Sequence, residues 1–548
     1  MSSITNLINY NFGGIRRKDS VFSSDKITCS DCQNVELFFT ELNSGVGIRT
    51  TSGNTSVCNI LPADEKIIAF FESTQLGNKY LFLYAESETQ GKLYTFNIKA
   101  NTLKEILNGL TATGKASGVD FAQGWLDMFI FSNGEEVKYI YSNTETGETL
   151  LVESAENIKL VDVENRTVKG LGLVVFDGRL WMFNDKVLWY SQKGDCRIFN
   201  YVDTDAKTSS GYIEFVKNIT AIYPYLGSLA VFHKDSSVLI KLDETTLFKQ
   251  DEESPGGCAS YNSLVFHGTD LYFYDDTKKG VFSFKQIVNG DKTLGENIAL
   301  DIQDELMKIQ PTDIDSIRAL SVVTSDRNEV WFLIPISDDE NYSYVMIFDY
   351  VRGEWVKRKC QHINTIGIFD STLYSAEDKL YQEYTGEDFN GEFIECYFKC
   401  TVFNLGSDNT LKITKFPPRI TVDGSHINDF YVKYVKNYDL LKQPKVKHIK
   451  TKTIKNVLYY DTDQTWDNKY IYIPNALMQI LKMPSATFKA LEITIYTQDA
   501  GQGFYIKTLE MSKVKVKQIW LLLELLNILY STTQNAERCL RNITKNLM

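Results

Sequence analysis

The chain has 548 residues, with 31 Tyr, 32 Phe and 7 Trp, and a net charge of −12 from 58 Lys and Arg against 70 Asp and Glu. Aromatic residues suit pleated, half-buried surfaces, so a mainly β protein is expected, and the length points to two to four domains. The acidic balance argues against a general nucleic-acid coat, which needs a basic face for phosphates, and no run reaches the roughly 18 apolar residues of a membrane-spanning helix.

Residues 1–60 differ in character from the rest of the chain. No basic segment leads into an apolar one, so a secretory signal is not expected. Phe12-Gly13-Gly14-Ile15 precedes the basic run Arg16-Arg17-Lys18. Gly-Gly permits backbone angles closed to other residues and marks a sharp bend. Two readings stand: an arm that makes contacts, or an ordered N-terminal strand that closes the sheet of the first repeat.

Residues 61–400 carry a recurring unit: an apolar strand, a turn and a second apolar strand. It is plainest at 174–199, where Asp177-Gly178 turns the chain into Leu180-Trp181-Met182-Phe183, followed by Val187-Leu188-Trp189-Tyr190. The second strands begin near Leu81, Leu126, Leu180, Leu229, Leu271, Val330 and Leu373, at intervals of 42 to 59 residues. A four-stranded propeller blade takes about 40–50 residues, so the expected fold is a β-propeller of six to eight blades. A large β-sandwich, or two in tandem, is the alternative. Val345–Tyr350 and Trp355 fit outer strands of one repeat.

Residues 401–512 lose this rhythm and read as a β-rich, sandwich-like platform, in which Ile471–Pro474 and Leu491–Tyr496 are strands. The segment 441–455 holds six Lys, Lys442, Lys445 and Lys447 among them, and no acid. It is expected as a solvated loop, with a patch for nucleic acid or an acidic partner as the other reading. Residues 513–548 change character again, and the Leu-rich stretch Ile519–Tyr530 predicts a short C-terminal helical segment.

Signatures of catalysis are missing. There is no Walker-type phosphate loop, no His-Glu-x-x-His and no Gly-x-Ser-x-Gly. The five His do not pair at ligand spacing. Cys29-x-x-Cys32 and Cys396-x-x-x-Cys400 would make a zinc site if the two pairs met, but reduced thiols are the expectation, and the odd total of nine Cys fits a reducing cytosol. Asp461-x-Asp463-x-x-x-Asp467 lacks the Gly and final Glu of a standard calcium loop. Thr324-Ser325-Asp326-Arg327-Asn328-Glu329-Val330-Trp331 is similar to the Asp box of sialidase-type propellers, a hairpin feature rather than an active site. No cofactor, metal or catalytic residue is assigned.

The order of several segments resembles the tail hub or nozzle proteins of short-tailed double-stranded DNA phages. The segments are Phe12-Gly13-Gly14-Ile15 with Arg17 and Asp19-Ser20; Asn34 and Gly47-Ile48-Arg49; and Gly178-Arg179-Leu180-Trp181 with Ser191, Gly194-Asp195 and Phe199. Gly227–Phe232, Gly257–Ser260, Asn390–Ile394 and Leu405-Gly406-Ser407 come next. The similarity spans roughly residues 10–410. It implies a non-enzymatic virion protein, made in the host cytoplasm and built into the tail. There it forms a homo-oligomeric ring, a hexamer, below the portal and its adaptor. The ring lines the exit channel for double-stranded DNA and docks fibres or a needle. In that setting Phe12, Gly13, Gly14, Arg16, Arg17, Lys442, Lys445 and Lys447 are the candidate contact residues. The rival functions are a carbohydrate-active propeller enzyme, which needs a carboxylate pair in a central pocket, and a cellular propeller scaffold for protein binding.

Overall fold

The structure is a computed structural model. It describes most of residues 26–450 and 491–511, with short breaks, and the strands Ile4–Thr5, Ile8–Ile15, Leu477–Ile480, Thr487–Phe488 and Val514–Lys517. Residues 16–25, 451–476 and 518–548 lie outside the described part, and so do the expected Ile471–Pro474 strand, Asp461–Asp467 and the expected helix Ile519–Tyr530.

The described chain is mainly β and divides into two compact units: Ser52–Ile394, and Met1–Thr51 together with Glu395–Met548. The changes of character in the sequence place these boundaries slightly later, after residues 60 and 400.

Among its described residues the Ser52–Ile394 unit contains seven small antiparallel sheets in chain order, spanning 66–110, 117–152, 171–214, 219–255, 264–283, 318–361 and 365–383. The second strand of each is one of the seven apolar strands marked in the sequence, from Asn78–Glu86 to Thr372–Ala376. In four of the sheets the first hairpin is a two-residue turn with both φ positive: Leu76-Gly77, Asp177-Gly178, Leu226-Gly227 and Asp370-Ser371. That turn has the twist that suits a tight antiparallel pair. Val345–Tyr350 and Trp355 lie on or beside the third and fourth strands of the sixth sheet, Tyr342–Asp349 and Glu354–Gln361.

The first strands pack in succession. Lys66–Gln75 contacts Ser117–Gln123, which contacts Leu171–Phe176, which contacts Ile219–Tyr225. The turn Tyr261–Ser263 touches both Ile219–Tyr225 and Arg318–Val323. Arg318–Val323 contacts Thr365–Phe369, and Thr365–Phe369 returns to Lys66–Gln75. Apolar side chains fill the spaces between sheets. Phe82 of the first stacks on Phe129 of the second at 4.3 Å, and Leu180, Met182 and Trp189 of the third meet Met128, Ile130 and Tyr139 of the second.

The seventh sheet takes its fourth strand, Asn54–Cys58, from the start of the unit, with Leu380 opposite Cys58 and Glu383 opposite Asn54. A buried ion pair sits beside this junction. Arg358 of the sixth sheet meets Glu383 at 2.5 Å, with both side chains almost wholly excluded from water. Glu383 also accepts from Asn54 Nδ2 at 3.0 Å, and Arg358 donates to the Ser52 carbonyl at 3.0 Å. A buried charge is tolerated only when paired and hydrogen-bonded, so the residues that shut this sheet depend on one another.

The other unit is built from both chain ends. Among the described residues its main sheet has eleven strands. From one edge these run Lys445–Lys450, Asp429–Lys436, Leu491–Tyr496, Tyr397–Cys400, Lys26–Gln33, Ile8–Ile15, Tyr505–Met511, Arg419–Val422 and Leu477–Ile480, with the hairpin Val35–Phe39 and Val46–Thr50 joined at Tyr505–Met511. A second, four-stranded sheet contains Val514–Lys517, which pairs with Ile4–Thr5 and Leu411–Thr414. The head of the segment expected to be helical is therefore a strand, as the alternation Val514-Lys515-Val516-Lys517 favours.

Candidate contact surface

Across Asp429–Lys436, Leu491–Tyr496, Tyr397–Cys400 and Lys26–Gln33 the main sheet of the terminal unit has one dry face and one half-exposed face. Phe430 and Val432, Ile493 and Ile495, Phe398 and Cys400, and Cys29 and Cys32 are all buried on the dry face. Residues in between point the other way, because side chains alternate along a strand.

Phe12 belongs to the core, wholly buried with its ring edge-on to Phe398 at 5.5 Å. Gly13 and Gly14 lie inside the Ile8–Ile15 strand, where the pairing with Lys26–Gln33 slips between Phe12 and Ile15. The pair thus forms an irregularity within a strand rather than a bend between elements, and Phe12 offers packing rather than a surface. Arg16, Arg17 and Lys442 lie outside the described residues. Lys445 and Lys447 are not in a loop: they belong to the edge strand Lys445–Lys450. Lys445 stands opposite Tyr434 and Lys447 opposite Val432, on the side of the dry face, at the edge of the sheet among the described residues. Charges at such positions discourage a further strand from adding to an open edge.

The half-exposed face carries a feature that no single segment announces. Register aligns His448, Tyr431, Tyr496 and Tyr397 across four neighbouring strands. His448 stacks on Tyr431 at 4.5 Å, and Tyr431 on Tyr496 at 5.6 Å. Tyr397 donates its hydroxyl to Asp31 at 2.8 Å. Charges flank the row. Asp429 accepts from Lys450 at 2.8 Å and His448 at 2.6 Å, and Lys399 pairs with Glu492 at 3.5 Å. Burial pushes the Asp429 carboxyl up, but its bonds to Lys450 and His448 outweigh that and hold it below the usual carboxylate range. A half-buried tyrosine row with a mixed-charge rim has the composition of a protein–protein contact patch. A signal for it exists in the sequence only as isolated tyrosines, and pairing register supplies the rest.

Three of the four cysteines of the two sequence pairs, Cys29, Cys32 and Cys400, lie on one sheet, and Cys396 lies just before its Tyr397–Cys400 strand. Cys29 stands opposite Cys400, and the slip between Cys29 and Asp31 turns Cys32 toward the same face. All three are wholly buried, and Cys396 directs its thiol at the Asn34 carbonyl. Burial pushes the Cys29 thiol well up, and Cys32 and Cys400 add to that. Protonated thiols in a dry core behave as small apolar groups. Among the described residues no group of three or more His, Cys, Asp or Glu is placed to hold a metal ion.

The other singled-out residues have local duties. Asn34, in the left-handed region at φ 56°, binds the Glu395 carbonyl through Nδ2 at 3.0 Å, and its own carbonyl accepts from Thr51 N at 2.9 Å. One side chain and its backbone thus tie down both places where the chain leaves and re-enters this unit. Arg49 meets Glu36 at 2.8 Å, and a Cβ on Gly47 would collide with the Phe38 ring and the Ile506 carbonyl oxygen.

In the Ser52–Ile394 unit, Arg179 is buried and donates to the carbonyls of Ser191, Lys207 and Ser209. Ser191 Oγ accepts from Leu180 N at 3.0 Å, Gly194 N donates to the Gly178 carbonyl at 2.8 Å, and Phe199 is wholly buried. The Gly-Arg-Leu … Ser … Gly-Asp … Phe series is therefore one interlocked piece that anchors the loop after the third strand. The Asp-box-like segment spans the turn between Arg318–Val323 and Asn328–Ile334 and the start of the second of these strands, and Thr324 donates to Asp326 at 3.0 Å. Among the described residues no helix is long and apolar enough to cross a membrane.

No protein-family model matches the chain, and no curated protein matches it.

Proposed function

We propose that this chain is a structural virion protein: a subunit of a tail hub or nozzle ring that sits below a portal and adaptor, lines a path for double-stranded DNA and docks fibres or a needle. The observation that carries the reading is the insertion of seven small sheets between two chain ends that share one sheet. We read the inserted unit as a seven-bladed β-propeller. The first strands pack in a series that returns to its start, and Asn54–Cys58 completes the last sheet, so the ends of the unit are pinned together. The terminal unit is then the platform.

Three further features support the assignment. Among the segments that resemble the phage family, Asn34 ties together the points where the chain leaves and re-enters the terminal unit, and Arg179–Phe199 anchors a loop of the third sheet. The tyrosine row of the platform face suits a contact between subunits. The net charge of −12 suits a conduit that phosphate backbones pass without adhering.

The test is co-assembly. The purified full chain, mixed with a portal–adaptor complex of a short-tailed phage of the same genomic neighbourhood, should elute with it as one larger particle. Failure to associate under conditions where the other tail proteins join would overturn the assignment.

A further inference from the structure

In the Ser52–Ile394 unit a cleft of about 640 Å³ opens where the first strands of the first and sixth sheets begin and where the chain enters the seventh. That volume is in the range of small-molecule sites. Ile68, Leu333 and Ile363 give it apolar walls, and Arg318, the first residue of its strand, lines it as well.

Arg318 is held in a fixed pose and only partly used. Its Nη1 donates to the carbonyls of Asp315 and, at 3.2 Å, Ile317. Among the described residues no carboxylate forms an ion pair with it, and none supplies a hydrogen-bond acceptor to Nε or Nη2. Nor are these two nitrogens among the polar atoms sealed from solvent, and Arg318 lines the cleft. They form the side of the guanidinium that presents two parallel N–H groups, the fork that fits a carboxylate.

The neighbouring charges are already engaged. Lys66 pairs with Glu377 at 3.0 Å, Lys115 pairs with Asp315 at 2.6 Å, and Asp313 accepts from the Thr312 hydroxyl at 2.9 Å. Burial pulls the Arg318 pKa down by more than Tyr261 and Asp315 raise it, so the cation lacks a full counter-charge where it stands.

We propose that this cleft binds a small carboxylate, its two oxygens on Nε and Nη2 of Arg318 and its apolar body against Ile68, Leu333 and Ile363. A monoanion fits better than a phosphate dianion. Only one cation is uncommitted among the described lining residues, and Asp313 and Glu377 line the same cleft. The inference holds whether or not copies of the chain assemble into a ring.

The test uses the full chain with benzoate and inorganic phosphate as probes in titration calorimetry. Benzoate should bind at millimolar concentration, Arg318→Gln should weaken it at least tenfold, and Arg318→Lys, which keeps the charge but not the fork, should fall between. Because Arg318→Gln also disturbs the carbonyls it caps, the unaltered protein supplies a second readout. Phenylglyoxal should modify Arg318, and benzoate should slow that modification severalfold. No benzoate binding up to about 50 mM, equal binding by Arg318→Gln, or modification unaffected by benzoate would each overturn the site. Phosphate binding tighter than benzoate would overturn the carboxylate assignment.

Discussion

The two units use the same material in opposite ways. In Ser52–Ile394 nearly every described strand pairs with its neighbour in sequence; Ser254–Pro255 skips back one strand to Ser236–Asp243, and Asn54–Cys58, the one long-range partner, completes the last sheet. In the terminal unit Thr28 and Thr401, 373 residues apart, face each other across paired strands. Local pairing costs little loop entropy, whereas the terminal sheet can form only after the intervening residues have brought its ends together. The seven-sheet unit is thus the precondition of the terminal one, and stability should pass between them in one direction.

The strongest way to break that comparison is Glu383→Ala. It strands the buried Arg358 guanidinium and should cost about 3–5 kcal/mol. Hydrogen exchange should speed up at 54–58 and 380–383 and, because the inserted unit holds the ends near each other, in the terminal sheet too. Unchanged exchange in the terminal sheet would contradict the dependence. Phe398→Ala is the converse experiment. Loss of this wholly buried ring, which packs on Phe12, should cost about 3 kcal/mol and loosen the terminal sheet while Ser52–Ile394 keeps its protection. A calorimetric trace in which the two units still melt together would count against it.

Asn34→Ala is smaller, about 1–2 kcal/mol, since it removes the bond to Glu395 and places alanine at a positive φ. Asn34→Gly should recover the part due to backbone strain, and equal losses in the two variants would show that strain has no share. The smallest effect is acid-dependent. The Asp429 carboxyl is held below its ordinary value, so its contribution is complete above the unfolded pKa of about 3.9 and fades as pH falls through the folded one. Its partners are exposed, which limits the effect to under about 1 kcal/mol. Exchange in Lys445–Lys450 should quicken below about pH 4 in the unaltered protein, and Asp429→Asn should abolish that dependence.

The same contrast explains which elements are legible in the sequence. Hairpins such as 174–190 announce themselves because apolar runs and an Asp-Gly turn are neighbours in the chain, and all seven second strands can be read this way. Asn54–Cys58, with the polar sequence Asn-Thr-Ser-Val-Cys, reads as part of an arm because nothing local marks it as a strand. Its place comes from Leu380–Glu383, more than 300 residues on. The Lys445–Lys450 strand reads as a loop for a related reason: an edge strand pairs on one side only, and its lysines hide the alternation. Glycines mislead in one place, since Gly13-Gly14 serves a slip inside a strand. Neither the tyrosine row nor the Arg318 cleft has a motif, because each is made from residues far apart in the chain and joined by register or by packing between sheets.

The assembly claim is met most directly by mass photometry with electron microscopy of the purified full-length chain. The account predicts a closed ring of six copies around a central channel. A particle of one subunit's mass at every concentration tested, with no ring in the images, would contradict it.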